Sequence, residues 1–431
     1  MADRYGLIGK SLGHSFSKEI HGSLGNYDYD LIEVQNSMEL KELLKDRSKY
    51  QGFNVTIPYK KEVMKYCDVV TKEAKESNAV NTLYYKDNDL VGHNTDVNGV
   101  LHLIEKVENP GRVIILGSGG ASGAVAAALR MKGIKDYTII SREGENNYNN
   151  LNRYLDANTI INTTPVGMYP DNYKSPLDDS PYGLKDFKNL NTVIDVIYNP
   201  NKTKLILDAE KGGIKTISGM VMLVAQAIYS AKEWGAIEDK QVEIDRIAVK
   251  LLKKKQNIVL IGMPGAGKTT VAKGLSRLYQ VPYYDTDKLI VERVGRSIEN
   301  IFETSDMGES YFRKKETEVL EEVSKLSGVI IATGGGIVLS EKNRDLIRQN
   351  GICIYLKRDL SILSKKGRPL TKKKGVLEIF NERSSIYEAL ADIMIENNRA
   401  FEGNYYKELK DFSIKVKTEI DKYYNNMRST L

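Results

Sequence analysis

The stretch IGMPGAGKTT (Ile261–Thr270) constrains this chain more than any other. It follows the apolar run NIVL and precedes VAKGLSRLY, so a buried strand, a tight loop and an amphipathic helix must succeed one another. Gly262 and Gly267-Lys268-Thr269 have the spacing of a phosphate-binding loop, in the context that gives that spacing meaning. Pro264, Gly265, Ala266 and Thr270 complete the loop. Glycines let backbone N–H groups converge on phosphates, and a helix N-terminus adds a favourable dipole. Lys268 offers a point charge to the β- and γ-phosphates, and the Thr269 hydroxyl can hold Mg²⁺. The loop therefore predicts a bound nucleoside triphosphate. It leaves kinase, ATPase and GTPase open and says nothing of what receives the phosphate.

Elsewhere the runs RVIILG, DYTIIS, NTVIDVIY, GVIIATGG and GICIYLK alternate with amphipathic helical stretches. Buried parallel strands read this way, with helices covering both faces, so the class is α/β almost throughout. A chain of 431 residues is too long for one core, and two or three domains are expected. The segment 231–256 has no strand-like run and ends near three lysines, which puts a boundary near residue 250. A subtler seam lies at 98–110, where a helical stretch ends at Pro110-Gly111. The expected organisation is a front half over 1–250 and a P-loop domain with a central parallel sheet over 251–431. Within the front half, a substrate-binding part (about 1–100 plus 220–250) precedes and follows a Rossmann-type part (about 101–219). The last thirty residues read as a polar helix without assignable chemistry.

A net charge of +6 suits small anionic substrates and is too weak to argue for nucleic acid. Two cysteines, Cys67 and Cys353, make no disulfide framework and fit a reducing compartment. The N-terminus shows no secretory pattern, and no apolar run approaches the roughly 18 residues a membrane span needs. A cytoplasmic location without membrane partners is expected; oligomeric state is not readable.

The flanks of the phosphate loop narrow its chemistry. YYDTD puts Asp285 and Asp287 on alternate residues after a strand, so one can support a metal while the other faces an acceptor hydroxyl. GESYFRKKE carries Arg313, ATGGGIV ends on Gly334-Gly335-Gly336, and NERSSIYEALADIMIE contains Arg383. KKGRPLTKKK (365–374) packs six cations around Arg368 and Pro369, as a mobile lid over phosphates would. Taken together, the P-loop, D-T-D, G-E-x-x-F-R, G-G-G, R-P-L and R-x-x-x-Y followed by A-D resemble shikimate kinase over nearly all of 256–395. The resemblance implies that Asp287, Arg313, Gly335 and Arg383 bind shikimate, the arginines taking its carboxylate with their forked donors. It implies that Asp287 orients the attacking hydroxyl, Asp285 and Thr269 support Mg²⁺, and Arg368 closes over ATP. The sequence departs from the family at RPLT, where a second apolar residue is usual.

A second glycine loop, Gly117-Ser-Gly119-Gly120-Ala121-Ser122, follows the strand RVIIL and opens a helix. Alone this is a weak signal. Its context strengthens it, because the strand YTIIS ends about twenty residues on, where a dinucleotide fold reads the ribose. Ser141-Arg142-Glu143 follows that strand; the arginine favours NADP and the acid favours NAD, and Arg142 comes first.

The opening segment supplies Ser15 and Ser17 before a helix, then Thr56, Lys60, Asn81 and Asp96, with Tyr198 and Gln226 further on. Singly, these are a cap, turn residues and a surface lysine. Together, S-x-S, N-V-T-x-P-x-K, A-V-N-T, N-T-D and Y-N-P-x-x-T resemble shikimate dehydrogenase over residues 4 to about 235. The resemblance implies that Ser15, Ser17, Thr56, Asn81, Asp96 and Gln226, with Tyr198 in the same set, hold a carboxylated polyol. Lys60 and Asp96 would be the catalytic pair, since hydride reduction of a ketone leaves an alkoxide that a positioned acid must protonate. The four histidines, His14, His21, His93 and His102, lack zinc-ligand spacing. Departures from the family are His93 where aspartate is common, Glu143 where a small hydroxyl residue is common, and a short stretch between 143 and 168.

The resemblances imply one reading: NADPH-dependent reduction of 3-dehydroshikimate to shikimate, followed by Mg·ATP-dependent phosphorylation of shikimate. Two alternatives stand beside it, a quinate or NAD preference in the front half, and one half serving as a non-catalytic shikimate sensor.

Overall fold

The computed structural model describes residues 3–13, 15–238, 243–304, 308–363, 375–398 and 405–427. His14, Arg368 and the basic run 365–374 lie outside the described residues. The chain forms two compact units that divide between Leu251 and Leu252, with residues 199–207 grouped with the second.

Among the described residues the first unit holds two sheets. Six strands, β1 (Arg4–Gly9), β2 (Asp28–Glu33), β3 (Gly52–Val55), β4 (Val69–Val70), β5 (Thr82–Lys86) and β6 (Asp89–His93), assemble in the order β2-β1-β3-β5-β6-β4. The apolar runs predict parallel pairing almost throughout, but β5 runs antiparallel to both β3 and β6. Its hairpin turns at Asp87 and Asn88, whose φ values of 49° and 73° are the left-handed pair that a two-residue hairpin requires.

The second sheet is wholly parallel: β7 (Val113–Leu116), β8 (Tyr137–Ile140), β9 (Thr159–Asn162), β10 (Thr192–Asp195) and β11 (Lys215–Ser218), in the order β11-β10-β9-β7-β8. β7, β9 and β10 are buried along their whole length, as strands covered on both faces must be. Between β8 and β9 the chain makes only a short 3-10 helix, Tyr148–Tyr154.

Helices Thr95–Ile104 and Met220–Glu233 pack face to face in this unit. Gly99 permits the approach, since a Cβ there would lie 2.9 Å from the Met222 carbonyl. The end of the second helix is anchored by Trp234, whose indole N–H donates to the Leu83 carbonyl (3.1 Å) and whose ring stacks on Tyr5 (4.4 Å).

The second unit is built on one parallel sheet: β12 (Asn257–Ile261), β13 (Tyr283–Asp285), β14 (Ile330–Ala332), β15 (Gly351–Lys357) and β16 (Ile393–Glu396), in the order β13-β14-β12-β15-β16. Helix Lys268–Tyr279 leaves the centre of this sheet and packs against the final helix, Tyr405–Met427. That final helix is amphipathic, which corrects the polar reading of its sequence. Leu409, Phe412, Val416, Ile420 and Tyr424 are buried along one stripe at helical spacing.

Close approach of the two helices occurs at Gly274, where a Cβ would meet the Ser413 hydroxyl and lie 3.2 Å from Leu409. Gly274→Val is therefore expected to destabilise the second unit by about 1–3 kcal/mol through overpacking. The single tryptophan, Trp234, belongs to the first unit, so its fluorescence transition should stay in place while the circular-dichroism transition of the second unit moves to lower denaturant. Unchanged unfolding would show that the helices can separate at Gly274 without loss.

Candidate active sites

In the first unit, Asn94 caps helix Thr95–Ile104 by accepting the Asp96 N–H (3.0 Å), which sets Asp96 in the first helical turn. A carboxylate is favoured there by the helix dipole. Lys60 follows β3, and its Nζ lies 2.5 Å from Asp96 Oδ2; the two side chains are 25% and 12% exposed. Asn81 Nδ2 donates to the other carboxylate oxygen at 2.9 Å. The orientation of that amide is decided by its neighbours. Its Oδ1 accepts the Thr95 backbone N–H at 2.7 Å, and a backbone N–H can only donate. Lys60, Asn81 and Asp96 thus form one bonded group.

The remaining front-half residues surround this group less directly. Thr56 lies beside Gly9 at the end of β1, where a Cβ on the glycine would be 2.7 Å from its methyl group. Ser15 Oγ accepts the Ser17 N–H (3.2 Å), and Ser17 is buried. Gln226 faces helix Thr95–Ile104 at Gly99, its Cβ 3.5 Å from where a glycine Cβ would be, and its amide donates to Leu223 O. Tyr198 lies against Phe16 with ring centroids 5.4 Å apart, and burial pushes its hydroxyl pKa upward.

The glycine loop follows β7. Chain order reverses between β7 and β9, which opens a crevice at the carboxyl ends of the strands. Gly117 has φ 102°, and a Cβ there would lie 2.8 Å from Thr164 Cγ2 on the β9 side. Gly119 and Gly120 face open space, leaving the start of helix Gly120–Met131 accessible to a pyrophosphate. Ala121 follows in the first turn, and Ser122 donates its hydroxyl to Gly119 O (2.6 Å), bracing the loop. Past β8, Ser141 donates to the Glu143 carbonyl, and Arg142 and Glu143 are both exposed.

In the second unit a cavity of about 430 Å³ is lined by Pro264, Gly265, Gly267, Lys268, Thr269, Thr270, Asp285, Asp287, Arg313, Gly335 and Arg383. Gly262 and Ala266 are absent from that lining. Gly262 instead serves the loop's path, with φ 141° and a Cβ position 2.6 Å from Leu356 O, and Ala266 is fully buried. Lys268 Nζ donates to the carbonyls of Gly262 (2.8 Å) and Met263 (3.0 Å), which lays it back along the loop. Thr269 Oγ1 donates to Asp285 Oδ2 at 2.6 Å, bringing together two hard oxygens of the kind Mg²⁺ prefers.

Three glycines after β14 let charged side chains close on the cavity. A Cβ at Gly334 would collide with Asp287 Oδ1, one at Gly336 with the Arg313 guanidinium, and one at Gly335 would lie 2.7 Å from Pro264. Tyr387 donates to the Gly335 carbonyl, and one helical turn before it Arg383 is only 2% exposed. Glu316 is the site residue that sequence reading passes over. It pairs with Arg313 at 2.8 Å, is 1% exposed and lines the same cavity. Its i, i+3 spacing from Arg313 on helix Gly308–Val323 is the one signal that could have found it. Burial pushes its carboxyl up to about 7, with Asp287 raising it further and Arg313 and Arg383 opposing. Phe302, Phe312 and Arg358 also line the cavity.

The first unit thus has the fold and site of a dinucleotide-linked reductase, and the second those of a P-loop phosphotransferase. A family model for the shikimate dehydrogenase substrate binding domain matches residues 7–83, and one for shikimate kinase matches 264–413. The chain is 38% identical over 251 residues to the shikimate dehydrogenase (NADP(+)) of Clostridium beijerinckii, covering 53% of this chain and 91% of that protein. A chorismate mutase/shikimate 5-dehydrogenase fusion protein from Clostridium acetobutylicum superposes with TM-score 0.54 at 34% identity, over 59% of this chain and 98% of that one. The shikimate 5-dehydrogenase of Thermus thermophilus in complex with NADP(H) and shikimate gives TM-score 0.51 at 26% identity, over 57% and 99%. The chain belongs to the shikimate dehydrogenase family in its first half, carries a shikimate kinase domain in its second, and is a bifunctional enzyme of the shikimate pathway. Among the described residues no helix is long and apolar enough to cross a membrane.

Glu316 gives the kinase a pH signature. An anionic acceptor beside it favours the neutral carboxylic acid, so binding takes up protons near pH 7. Shikimate affinity should fall as pH rises through about 7, by at most about tenfold per unit for one linked proton. Calorimetry in buffers of different ionisation enthalpy should show the uptake in the native enzyme and none in Glu316→Gln. Equal uptake in both would remove Glu316 as its source.

Proposed function

We propose that the first unit reduces 3-dehydroshikimate to shikimate with NADPH, and that the second transfers the γ-phosphoryl group of Mg·ATP to the shikimate 3-hydroxyl. On this reading residues 1–250 form the dehydrogenase, with about 101–219 binding NADP, and 251–431 form the kinase. The observation that carries it is the Lys60–Asp96 contact of 2.5 Å with Asn81 on the second carboxylate oxygen, a proton donor and its orienter ready-made.

Bound NADPH supplies the hydride, and bound Mg·ATP supplies the phosphoryl group. Lys60 Nζ hands a proton to the substrate carbonyl oxygen as it becomes an alkoxide, and Asp96 aims the ammonium. Ser15, Ser17, Thr56, Asn81, Tyr198 and Gln226 hold the ring hydroxyls and carboxylate. Gly117, Gly119, Gly120 and Ala121 admit the dinucleotide pyrophosphate, Ser122 braces their loop, and Ser141 holds the turn that presents Arg142 to a 2′-phosphate. The NADP(+) naming of the Clostridium beijerinckii relative and the NADP(H) in the Thermus thermophilus structure support that choice.

In the kinase, Gly262, Pro264, Gly265, Ala266, Gly267 and Thr270 shape the phosphate cradle and Lys268 neutralises charge on the transferring group. Thr269 and Asp285 suit Mg²⁺. Asp287 orients the attacking hydroxyl, Gly335 bounds its pocket, and Arg313 and Arg383 clamp the carboxylate. Arg368, outside the described residues, would cover the ATP phosphates. The free thiols of Cys67 and Cys353 support a cytoplasmic setting.

One coupled assay tests the whole reading. Supplied with 3-dehydroshikimate, NADPH and Mg·ATP, the native chain should consume NADPH and then form ADP. Lys60→Met should abolish the first signal, by roughly 10²–10⁴ in kcat, while added shikimate still yields ADP. Lys268→Met should do the reverse. Loss of both activities in either variant, or of neither, would contradict the assignment.

Cofactor choice has its own test. Arg142→Ala should raise the KM for NADPH about tenfold or more, a change of about 1.4 kcal/mol, with little effect on NADH. Equal effects on both cofactors would take Arg142 away from the 2′-phosphate.

A further inference from the structure

We propose that Ser230 is a positioning residue for the reduction, acting through Asn81 on the Lys60–Asp96 pair; this rests on the assignment of that pair made above. Ser230 is fully buried on helix Met220–Glu233, one turn beyond Gln226. Its hydroxyl has four polar neighbours: Asn54 Nδ2 at 2.7 Å, Thr82 Oγ1 at 2.8 Å, Thr95 Oγ1 at 2.9 Å and the Gln226 carbonyl at 2.9 Å. The two threonine hydroxyls in turn flank Asn81 Oδ1, at 3.0 Å and 3.2 Å.

A hydroxyl carries one proton and two lone pairs, so the directions can be worked out. The Asn54 amide nitrogen can only donate and the Gln226 carbonyl can only accept. When Ser230 donates to Gln226, its remaining acceptor capacity serves one threonine, and the other threonine proton is directed to Asn81 Oδ1 or to its fellow hydroxyl. Ser230 therefore orders the protons around the oxygen end of the Asn81 amide. Asn81 holds Asp96 by its nitrogen end, so its hold is as firm as that ordering.

Without the Ser230 hydroxyl, the acceptors left to Asn54 Nδ2 are the Asn81 carbonyl and Thr82 Oγ1, each at a long 3.3 Å. Thr82 is then drawn towards Asn54 and away from Asn81. The same hydroxyl also joins the helix that bears Gln226 to the strand that follows Asn81. One side chain thus keeps a polyol-binding element and the catalytic pair in register.

The test uses the full chain, with kinase turnover and thermal unfolding as controls. Ser230→Ala should lower the kcat for reduction about tenfold while the KM for 3-dehydroshikimate changes less than about threefold, with kinase turnover unchanged. Ser230→Cys keeps the volume and a weak donor, and should fall between the two; it carries the test if the alanine variant folds poorly. The decisive comparison adds Asn81→Ala. If Ser230 acts through Asn81, the serine substitution costs almost nothing more in that background. Additive losses, or native kcat in Ser230→Cys together with Ser230→Ala, would overturn the proposal while leaving the active-site assignment intact. A neutral Asn81→Ala would instead bring down the site assignment and the proposal with it.

Discussion

A carboxylate drawn out of water must be met by donors, and the arrangement of the first unit follows from meeting that need at Asp96. An unsatisfied buried polar group costs about 1–3 kcal/mol, more when charged. Asp96 has an ammonium on one oxygen, an amide on the other and a helix N-terminus beneath it. Each of these comes from a different element. Lys60 follows β3, Asn81 precedes β5, and Asn94 caps the helix from the end of β6. The mixed pairing of the first sheet is what lets those three strand ends converge, because β3, β5 and β6 are adjacent in it.

The second unit meets charge differently. Its cavity gathers Asp287, Glu316, Arg313 and Arg383, and Glu316 is already paired with Arg313 at 2.8 Å. The glycines after β14 make that gathering possible by withholding side chains where a carboxylate and a guanidinium must pass. Rigidity is supplied from behind. Tyr387 ties down the Gly335 carbonyl and stacks on Tyr355 of β15 at 5.1 Å. The Arg313–Glu316 pair holds that wall of the cavity in place.

The parts legible in the sequence are those where backbone geometry leaves a residue-type imprint. Glycines at Gly117 and Gly267 mark positive φ, and the apolar runs of β7, β9 and β10 mark strands buried on both faces. The antiparallel β5–β6 hairpin is less visible, because its turn residues Asp87 and Asn88 resemble those of any polar loop. Glu316 escapes notice for a physical reason: Glu318 on the same helix has the same i, i+3 spacing from a cation, Lys315, and what sets Glu316 apart is burial, a property of the neighbours. Ser230 is equally silent, since serine amid alanines on a helix looks like a packing residue until the strand opposite is known. The final helix misleads because its apolar stripe is interleaved with lysines and acids that dominate a simple count of composition.

The packing of that final helix on the P-loop helix has a consequence for how the enzyme is made. Strands β1 to β11 and the helices of the first unit are complete in a chain that has not yet reached β12, so the dehydrogenase can acquire its core while synthesis continues. The nucleotide cradle cannot do so on the same schedule. Helix Lys268–Tyr279 emerges early in the second unit, yet the side chains that cover it, from Leu409 to Tyr424, leave the ribosome only after β13 to β16 have done so. During that interval the nucleotide-binding helix presents an uncovered apolar face. A nascent chain would therefore have a reductase in working order before it had a kinase, and its exposure to chaperones and proteases would fall on the second unit.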